Sequence, residues 1–248
     1  MTRDRFRVRP RLLVGLMGAA ALLAVAAVTG GIVWLQPRFA VERLADLNPE
    51  VLFRVETTRP LVALTIDDGP HATITPRALD VLAAHGAHAT FFLLGGNIPG
   101  NEALLERMRA EGHELGNHLV EDRPSIRLPQ DEFVRQLLQV DPWMDKAARW
   151  RWLRPGSGWF SPGMLQLAAD HGYRLCLGSI FPHDDRIHDP ERLAAAVLER
   201  VQPGDVIILH DGADERAVLG ETLDLVLAGL DARGLRAVTV SELAAAAD

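Results

Sequence analysis

The first group of residues that could do chemistry is Asp67-Asp68-Gly69-Pro70, which follows an apolar run typical of a strand. Successive side chains of a strand point to opposite faces, so both carboxylates can act on one centre only if the strand end is distorted. Gly69 supplies the conformational freedom for that distortion. Two adjacent acids allow one carboxylate to bind a metal while its neighbour serves as a base. The same four residues could instead form a turn with a helix-capping acid.

A second group combines His118 with Asp122, four positions later. On a helical turn the two side chains would point the same way and offer one nitrogen and one oxygen ligand to an ion such as zinc. Asp122 could instead cap a helix or turn. His113 precedes the same strand-like run and is more typical of a structural histidine.

Three further polar groups follow apolar runs. Arg154 opens a glycine-rich turn whose backbone N–H groups could face a developing oxyanion. Asp184 and Asp185 follow the next run. His210 ends a nearly all-apolar run, and its ordinary pKa of about 6.5 suits a general acid. Each group alone is typical of an ordinary strand end, but five such ends together indicate a catalytic centre.

The elements that must position these residues are strands that alternate with helices. Seven strand-like runs, each followed by a segment of helical periodicity, indicate an α/β domain of parallel strands. A barrel and an open doubly wound sheet both fit this alternation, and in either architecture ligands bind at the C-terminal ends of the strands. The predicted strands are Leu61–Ile66, Ala87–Leu94, Glu114–His118, Trp150–Arg154, Arg174–Ile180, Asp205–Leu209 and Leu235–Val240.

The N-terminal residues predict a membrane signal. Residues 1–11 carry five arginines and one aspartate, and residues 12–35 contain no charged residue. A helix of that length, rising about 1.5 Å per residue, would cross a hydrocarbon core of roughly 30 Å. Arginines before the span favour a cytoplasmic N-terminus. We therefore expect a cytoplasmic basic segment, a single-pass signal anchor over residues 12–35, and a catalytic domain outside the cytoplasmic membrane. A cleaved signal peptide, which would leave the protein secreted, is the alternative.

The rest of the chain divides into a linker and a domain. Residues 36–60 contain three prolines among mixed charges, so they predict a linker with one short helix around Val41–Leu47. Residues 61–248 then form the catalytic domain. The formal net charge is −7, and because residues 1–11 carry +4, the remainder carries −11. Such an acidic body lacks the basic face that nucleic acids require, which excludes them as partners. Cys176 is alone, so no intrachain disulfide can form.

Taken in order, the five groups resemble the five motifs of the polysaccharide deacetylase family, carbohydrate esterase family 4, over about residues 61–240. The run from Thr65 to Pro70 looks like the family's T-F-D-D-G-P, which implies that Asp67 is the catalytic base and Asp68 a metal ligand. His118 matches the first histidine of the H-T-x-x-H motif, and Asp122 stands where the second would be. The resemblance implies a divalent metal, in the first place Zn2+, on Asp68, His118 and Asp122. The second aspartate gives this set more oxygen character than the family's Asp-His-His.

The third motif of the family, R-P-P-Y, is matched by Arg154 and Pro155. The resemblance implies that Arg154 holds the base Asp67 ionised and correctly aimed. Ser157 replaces the tyrosine, whose backbone N–H contributes to the oxyanion site in the family. Ser157 can keep that role because the donor does not depend on the side chain.

The fourth and fifth motifs are matched by the acids after Ile180 and by His210. The resemblance implies that Asp184, with Asp185 as the alternative, orients His210 as the general acid. Ile207 is expected to line the acetate pocket, and His71 to lie beside the substrate groove.

The resemblance therefore predicts a distorted (β/α) barrel of about seven parallel strands, and the N-terminal residues predict one transmembrane helix before it. It implies a metal-dependent hydrolase that removes N-acetyl groups from a glucosamine-containing polysaccharide and releases acetate. Chitin-like polymers, peptidoglycan and exopolysaccharides all remain open as the glycan. A membrane-tethered glycan-binding protein without turnover and a deacylase of a small N-acyl substrate are the alternatives.

Overall fold

The computed structural model describes Gly31 and residues 36–248. The predicted basic segment and almost all of the predicted anchor therefore lie outside the described residues. No helix within residues 36–248 combines the length and the apolar character needed to cross a membrane. The chain divides into two units, residues 1–41 and residues 42–248.

Strands and helices alternate along the described chain. The strands are β1 (Val51–Leu52), β2 (Leu61–Asp67), β3 (Thr90–Leu93), β4 (Glu114–Asn117), β5 (Arg151–Leu153), β6 (Tyr173–Cys176), β7 (Val206–His210) and β8 (Arg236–Val238). The helices are α1 (Arg38–Leu47), α2 (Ile74–Ala84), α3 (Glu102–Ala110), α4 (Gln130–Val140), α5 (Pro162–Asp170), α6 (Pro190–Leu198), α7 (Leu219–Ala232) and α8 (Val240–Ala244). The seven predicted strands are thus confirmed as β2 to β8.

All eight strands join one parallel sheet, in the order β1-β6-β5-β4-β3-β2-β7, with β8 beside the start of β2. Ile180, just after β6, also pairs in parallel with Ile207 of β7. The sheet therefore curls back on itself, and of the two predicted architectures the distorted barrel is the one that forms.

The apolar runs form strands because both faces of the sheet are covered. Every residue of β2 is buried, as expected for a parallel strand that reads as a continuous apolar run. Phe91, Phe92 and Trp152 are fully buried around it. Burial of side chains of this size contributes about 1.5–3 kcal/mol each, so the barrel is a rigid support for its loops.

The linker predicted over residues 36–60 is wrong for part of its length. Val51 pairs with Leu175 of β6, and Val51 to Phe53 are buried. A two-residue strand carries no periodicity of its own, and its partner lies more than 100 residues later in the chain. The folded domain therefore begins before Leu61, and the short helix expected near Val41 begins at Arg38.

Candidate active site

The parallel register brings the predicted residues to one end of the barrel. Asp67, the last residue of β2, lies directly opposite His210, the last residue of β7. His118 and Arg154 continue the pairing of β4 with β3 and of β5 with β4 through backbone hydrogen bonds of 2.9 Å each. Side chains from four strand ends therefore meet at this end of the sheet.

Asp67 and Arg154 form a buried ion pair. The two side chains are only 3% and 4% exposed, and the Arg154 Nη1 donates to Asp67 Oδ1 at 2.6 Å. The same nitrogen donates to Thr65 Oγ1 at 2.7 Å, and Nε donates to the Cys176 carbonyl at 2.9 Å. The guanidinium also stacks 4.1 Å from the centre of the Phe92 ring. These contacts fix the guanidinium, so it supplies Asp67 with a countercharge in one defined position.

Asp68 and His118 form a second pair beside the first. His118 Nε2 lies 3.3 Å from Asp68 Oδ1, and His118 Nδ1 donates to the Arg154 carbonyl at 2.5 Å. Burial acts to raise the pKa of Asp68, but the hydrogen bond and charge of His118 lower it overall. Burial acts to lower the pKa of His118, but Asp68 and then Asp67 raise it overall. The carbonyl fixes the orientation of the ring, so Nε2 faces the carboxylate.

The donor set of Asp68 and His118 fits two ligands of a divalent cation. A ligating histidine commonly donates its other ring N–H to a carbonyl, as His118 does. Within residues 36–248, no three His, Cys, Asp or Glu side chains are grouped closely enough to hold a metal. Asp122 is exposed, and its pKa is raised by partial desolvation and then by the Asp68 charge. Asp122 therefore lies within electrostatic range of the pair, and its role as third ligand stays a prediction.

His210 is held by Asp184. The Asp184 carboxylate accepts hydrogen bonds from His210 Nδ1 at 2.8 Å and from the His210 backbone N–H at 2.9 Å. Burial acts to lower the pKa of His210, but Asp184 and the acids at the end of β2 raise it to about 9. Asp185 instead lies 3.4 Å from Arg186. Of the two acids proposed from the sequence, Asp184 is therefore the one that orients the histidine.

Ser157 and His71 lie on the loops of this end. Ser157 is exposed, has a φ of 64°, and sits in the first turn of the short 3-10 helix Gly156–Gly158. N–H groups in a first turn have no partner within the helix, so the Ser157 amide can face a ligand. His71 Nδ1 accepts the backbone N–H of Ile74 at 3.3 Å at the start of α2. The His71 side chain therefore caps α2. Its contact with substrate stays a prediction.

The expectation that Ile207 lines the acetate pocket is wrong. Ile207 is completely buried, whereas Ile208 is partly exposed and shares a face of β7 with His210. Side chains alternate along a strand, so the residue two positions before His210 faces the site, and the residue three before it faces away.

Two residues near the site were missed from the sequence. Arg216 donates to the Asp184 carbonyl and lines a small cavity with His210. It ends the short 3-10 helix Asp214–Arg216, which is too short to show a periodicity in the sequence. Asp211 follows His210 directly and is completely buried. The sequence signal that could have identified it is an acidic residue directly after the proposed general acid.

Comparison with known proteins places this chain in a family. The family model described as polysaccharide deacetylase matches residues 54–176. A peptidoglycan-N-acetylglucosamine deacetylase of Bacillus cereus is 32% identical over 203 residues, which cover 80% of this chain and 95% of that protein. A chitooligosaccharide deacetylase of Sinorhizobium fredii is 36% identical over 162 residues, which cover 64% of this chain and 75% of that protein.

Solved structures show the same fold. A peptidoglycan N-acetylglucosamine deacetylase superposes with a TM-score of 0.73 at 28% identity, covering 78% of this chain and 92% of that chain. A CE4 family pseudoenzyme from Bacillus anthracis superposes with a TM-score of 0.69 at 25% identity, covering 78% and 68%. A protein named as a deacetylase and a protein named as a pseudoenzyme therefore share this fold, so activity must be argued from the side chains.

Proposed function

Because this chain belongs to the polysaccharide deacetylase family, we propose that it hydrolyses the N-acetyl groups of glucosamine residues in a polysaccharide and releases acetate. The observation that carries this proposal is the pairing of Asp67 with His210 across β2 and β7. Each has its own buried partner of opposite charge, Arg154 and Asp184. A base and an acid in fixed positions on neighbouring strands are what hydrolysis of an amide requires.

Asp67 is the base. Its carboxylate takes a proton from the attacking water, and the water oxygen forms a bond to the acetamide carbon. Arg154 uses Nη1 to hold Oδ1 of that carboxylate, so the other oxygen remains to accept the proton. The backbone N–H of Ser157 faces the oxyanion that develops on the amide oxygen.

His210 is the acid. With a pKa raised to about 9, the imidazole carries a proton at neutral pH. It gives that proton to the glucosamine nitrogen as the carbon–nitrogen bond breaks, which releases a free amine and acetate. Asp184 holds Nδ1, so the transferable proton sits on Nε2.

The residues that would hold a divalent cation are Asp68 and His118, with Asp122 as the proposed third ligand. Zinc is the ion we propose; such a cation lowers the pKa of water and polarises the amide carbonyl. We expect Asp122→His to bind zinc more tightly, because imidazole suits zinc better than a carboxylate does. Zinc titration by calorimetry measures this directly. Unchanged zinc affinity and unchanged metal preference would show that Asp122 only ends a turn.

The test of the function is acetate release by the full chain from N-acetylated chitooligosaccharides and from peptidoglycan, with and without added zinc. We expect acetate and free amine in equal amounts from at least one glycan. Binding of these glycans without acetate release would instead identify a glycan-binding protein of this fold. Release from a small N-acetyl amide but from neither glycan would identify a small-molecule deacylase.

We also propose that the catalytic domain lies outside the cytoplasmic membrane. Five arginines followed by the uncharged residues 12–35 support this topology. Protease added to intact spheroplasts should then digest residues 42–248. Full protection of the domain until the membrane is opened would contradict the proposal.

A further inference from the structure

One buried acid at the site end of the barrel has no part in the mechanism above. Asp211 is 0% exposed and directly follows the general acid. Its Oδ2 accepts a hydrogen bond from Thr75 Oγ1, whereas its Oδ1 is buried without a hydrogen-bond partner. An unpaired buried oxygen destabilises the fold, so its presence here requires a reason.

The contacts of Asp211 all lead to the segment that carries the two site acids. Its backbone N–H donates to the Asp67 carbonyl at 3.0 Å. Its carboxyl lies against Gly69, where an added Cβ would be 2.5 Å from Oδ1. Thr75 Oγ1 also accepts the backbone N–H of His71 at 2.7 Å. Asp211, which follows β7, and Thr75, which lies in α2, therefore both hold the turn Asp67–His71 by hydrogen bonds.

That turn is strained and needs such support. Asp68 has a φ of 75°, a left-handed conformation that is unfavourable for a residue with a side chain. From the side of β3, the Asp68 N–H donates to the Phe92 carbonyl at 3.1 Å, and Asn97 Nδ2 donates to the Asp68 carbonyl at 2.7 Å. A strained conformation persists only where the surroundings over-determine it. Asp211 supplies the constraint on the opposite side.

We propose that Asp211 is a positioning residue: through its contact with Gly69 and its hydrogen bond from Thr75, it holds Asp67 and Asp68 in their working orientation. The inference rests on the proposed deacetylase function. Burial raises the pKa of Asp211 to about 7, so a neutral side chain of the same shape is a reasonable replacement. The essential features are then the shape of the carboxyl and its acceptor oxygen.

The test uses four variants of the full chain. Asp211→Ala removes both contacts, and Thr75→Val removes the hydrogen bond while keeping its shape. We expect each to lower kcat about tenfold with KM changed less than about twofold, and to weaken zinc binding about fivefold. The double variant should lose no more than Asp211→Ala alone, because the two act as one unit. Asp211→Asn keeps the shape and the acceptor, and should retain kcat within about threefold.

A matched control is Thr90→Val. Thr90 is also completely buried and also donates to a carboxylate, Glu114 Oε2 at 2.7 Å, but at the other end of the barrel. We expect Thr90→Val to lower the melting temperature and to leave kcat and zinc affinity of the folded protein unchanged. If Thr75→Val and Asp211→Ala behave in the same way as this control, Asp211 is only structural and the proposal is overturned.

The two proposals can fail separately. A wild-type chain that binds zinc but releases no acetate overturns the proposed function, and the zinc affinities of the variants still test the role of Asp211. A wild-type chain that neither binds zinc nor releases acetate overturns both. An Asp211→Asn variant as impaired as Asp211→Ala also overturns the proposal, since shape and acceptor would then be insufficient.

Discussion

The connections at the two ends of the barrel both contain residues in the left-handed conformation, but the residue types differ. At the end opposite the site, helices turn into strands through left-handed residues that are glycines: Gly86, Gly112, Gly172 and Gly234. At the site end, Gly158 and Gly178 are left-handed too, but four further left-handed residues carry side chains: Asp68, Leu119, Ser157 and His183. Glycine adopts this conformation without strain, whereas another residue is destabilised by roughly 1–2 kcal/mol. The strain is therefore concentrated where the candidate residues lie.

Each of these four strained residues is a candidate site residue or lies next to one. Asp68 and Ser157 are candidates themselves, Leu119 follows His118, and His183 precedes Asp184. Leu119 shows how the strain is contained, since its side chain is completely buried and its N–H donates to Asn117 Oδ1 at 2.8 Å. The left-handed turns aim side chains in directions that regular strand ends do not offer. Local stability is given up for that placement, as is common at functional sites.

The acids that accept hydrogen bonds inside the barrel also differ between its two ends. At the site end, Asp67 is paired with a charged arginine. At the opposite end, partly buried Glu114 accepts hydrogen bonds from neutral donors, Thr90 Oγ1 and the N–H and hydroxyl of Ser241. Burial raises the pKa of Glu114, although those donors act to lower it. The charged pair suits a proton acceptor, and the neutral network suits a structural link.

The largest expected effect is on kcat, and it should distinguish Asp67 from Glu114. We expect Asp67→Asn to reduce kcat at least about a thousandfold, because the base is lost. It should also destabilise the fold by about 3–5 kcal/mol, since the buried Arg154 charge loses its partner. Glu114→Gln should instead cost about 1 kcal/mol of stability and leave kcat of the folded protein unchanged. Steady-state kinetics and denaturant unfolding measure both. Comparable kcat in the two variants would refute the assignment of Asp67 as the base.

The next-largest expected effect is on how activity depends on pH. Because His210 acts as an acid with a pKa raised to about 9, activity should fall as the pH rises through that value. Asp184 is the main cause of the elevation, so Asp184→Asn should move this alkaline limb to lower pH, toward the ordinary value of about 6.5. The profile of kcat against pH measures the shift. An alkaline limb that stays in place would show that another group donates the proton.

The same elevated pKa predicts how stability changes with pH. A histidine that binds its proton more tightly when folded stabilises the fold fully below about pH 6.5, and this contribution is lost as the pH rises through about 9. Unfolding free energies between pH 6 and 10 should therefore fall less in Asp184→Asn than in the wild type. A matched control is Asp185→Asn, since Asp185 lies beside Arg186 and it is Asp184 that bonds to the His210 ring.

The comparison also explains what the sequence could predict. The seven principal strands could be predicted because apolar runs and helical periods are local signals. Asp67, His118, Arg154 and His210 lie at the carboxyl ends of these strands, as the sequence predicted. β1 was missed because it exists only through its pairing with β6. Ile207 was misassigned because a shift of one residue along a strand moves the side chain to the opposite face of the sheet. Asp211 and Arg216 were missed because their contacts are with residues far away in the chain, which sequence spacing does not encode.

The smallest effect tests the strain itself with a pair of opposite substitutions. Gly86 has a φ of 58°, and an added Cβ would meet nothing within 4 Å, so Gly86→Ala isolates the backbone effect. We expect it to destabilise the fold by about 1 kcal/mol without changing kcat. Ser157→Gly removes the same kind of strain at the site end and should stabilise the fold by up to about 1 kcal/mol. Because the proposed oxyanion donor is the main-chain N–H, kcat should fall by less than about fivefold, reflecting only a more mobile turn. A much larger loss of kcat in Ser157→Gly would mean that the serine hydroxyl itself acts on the substrate, and that the left-handed turn serves to present this side chain.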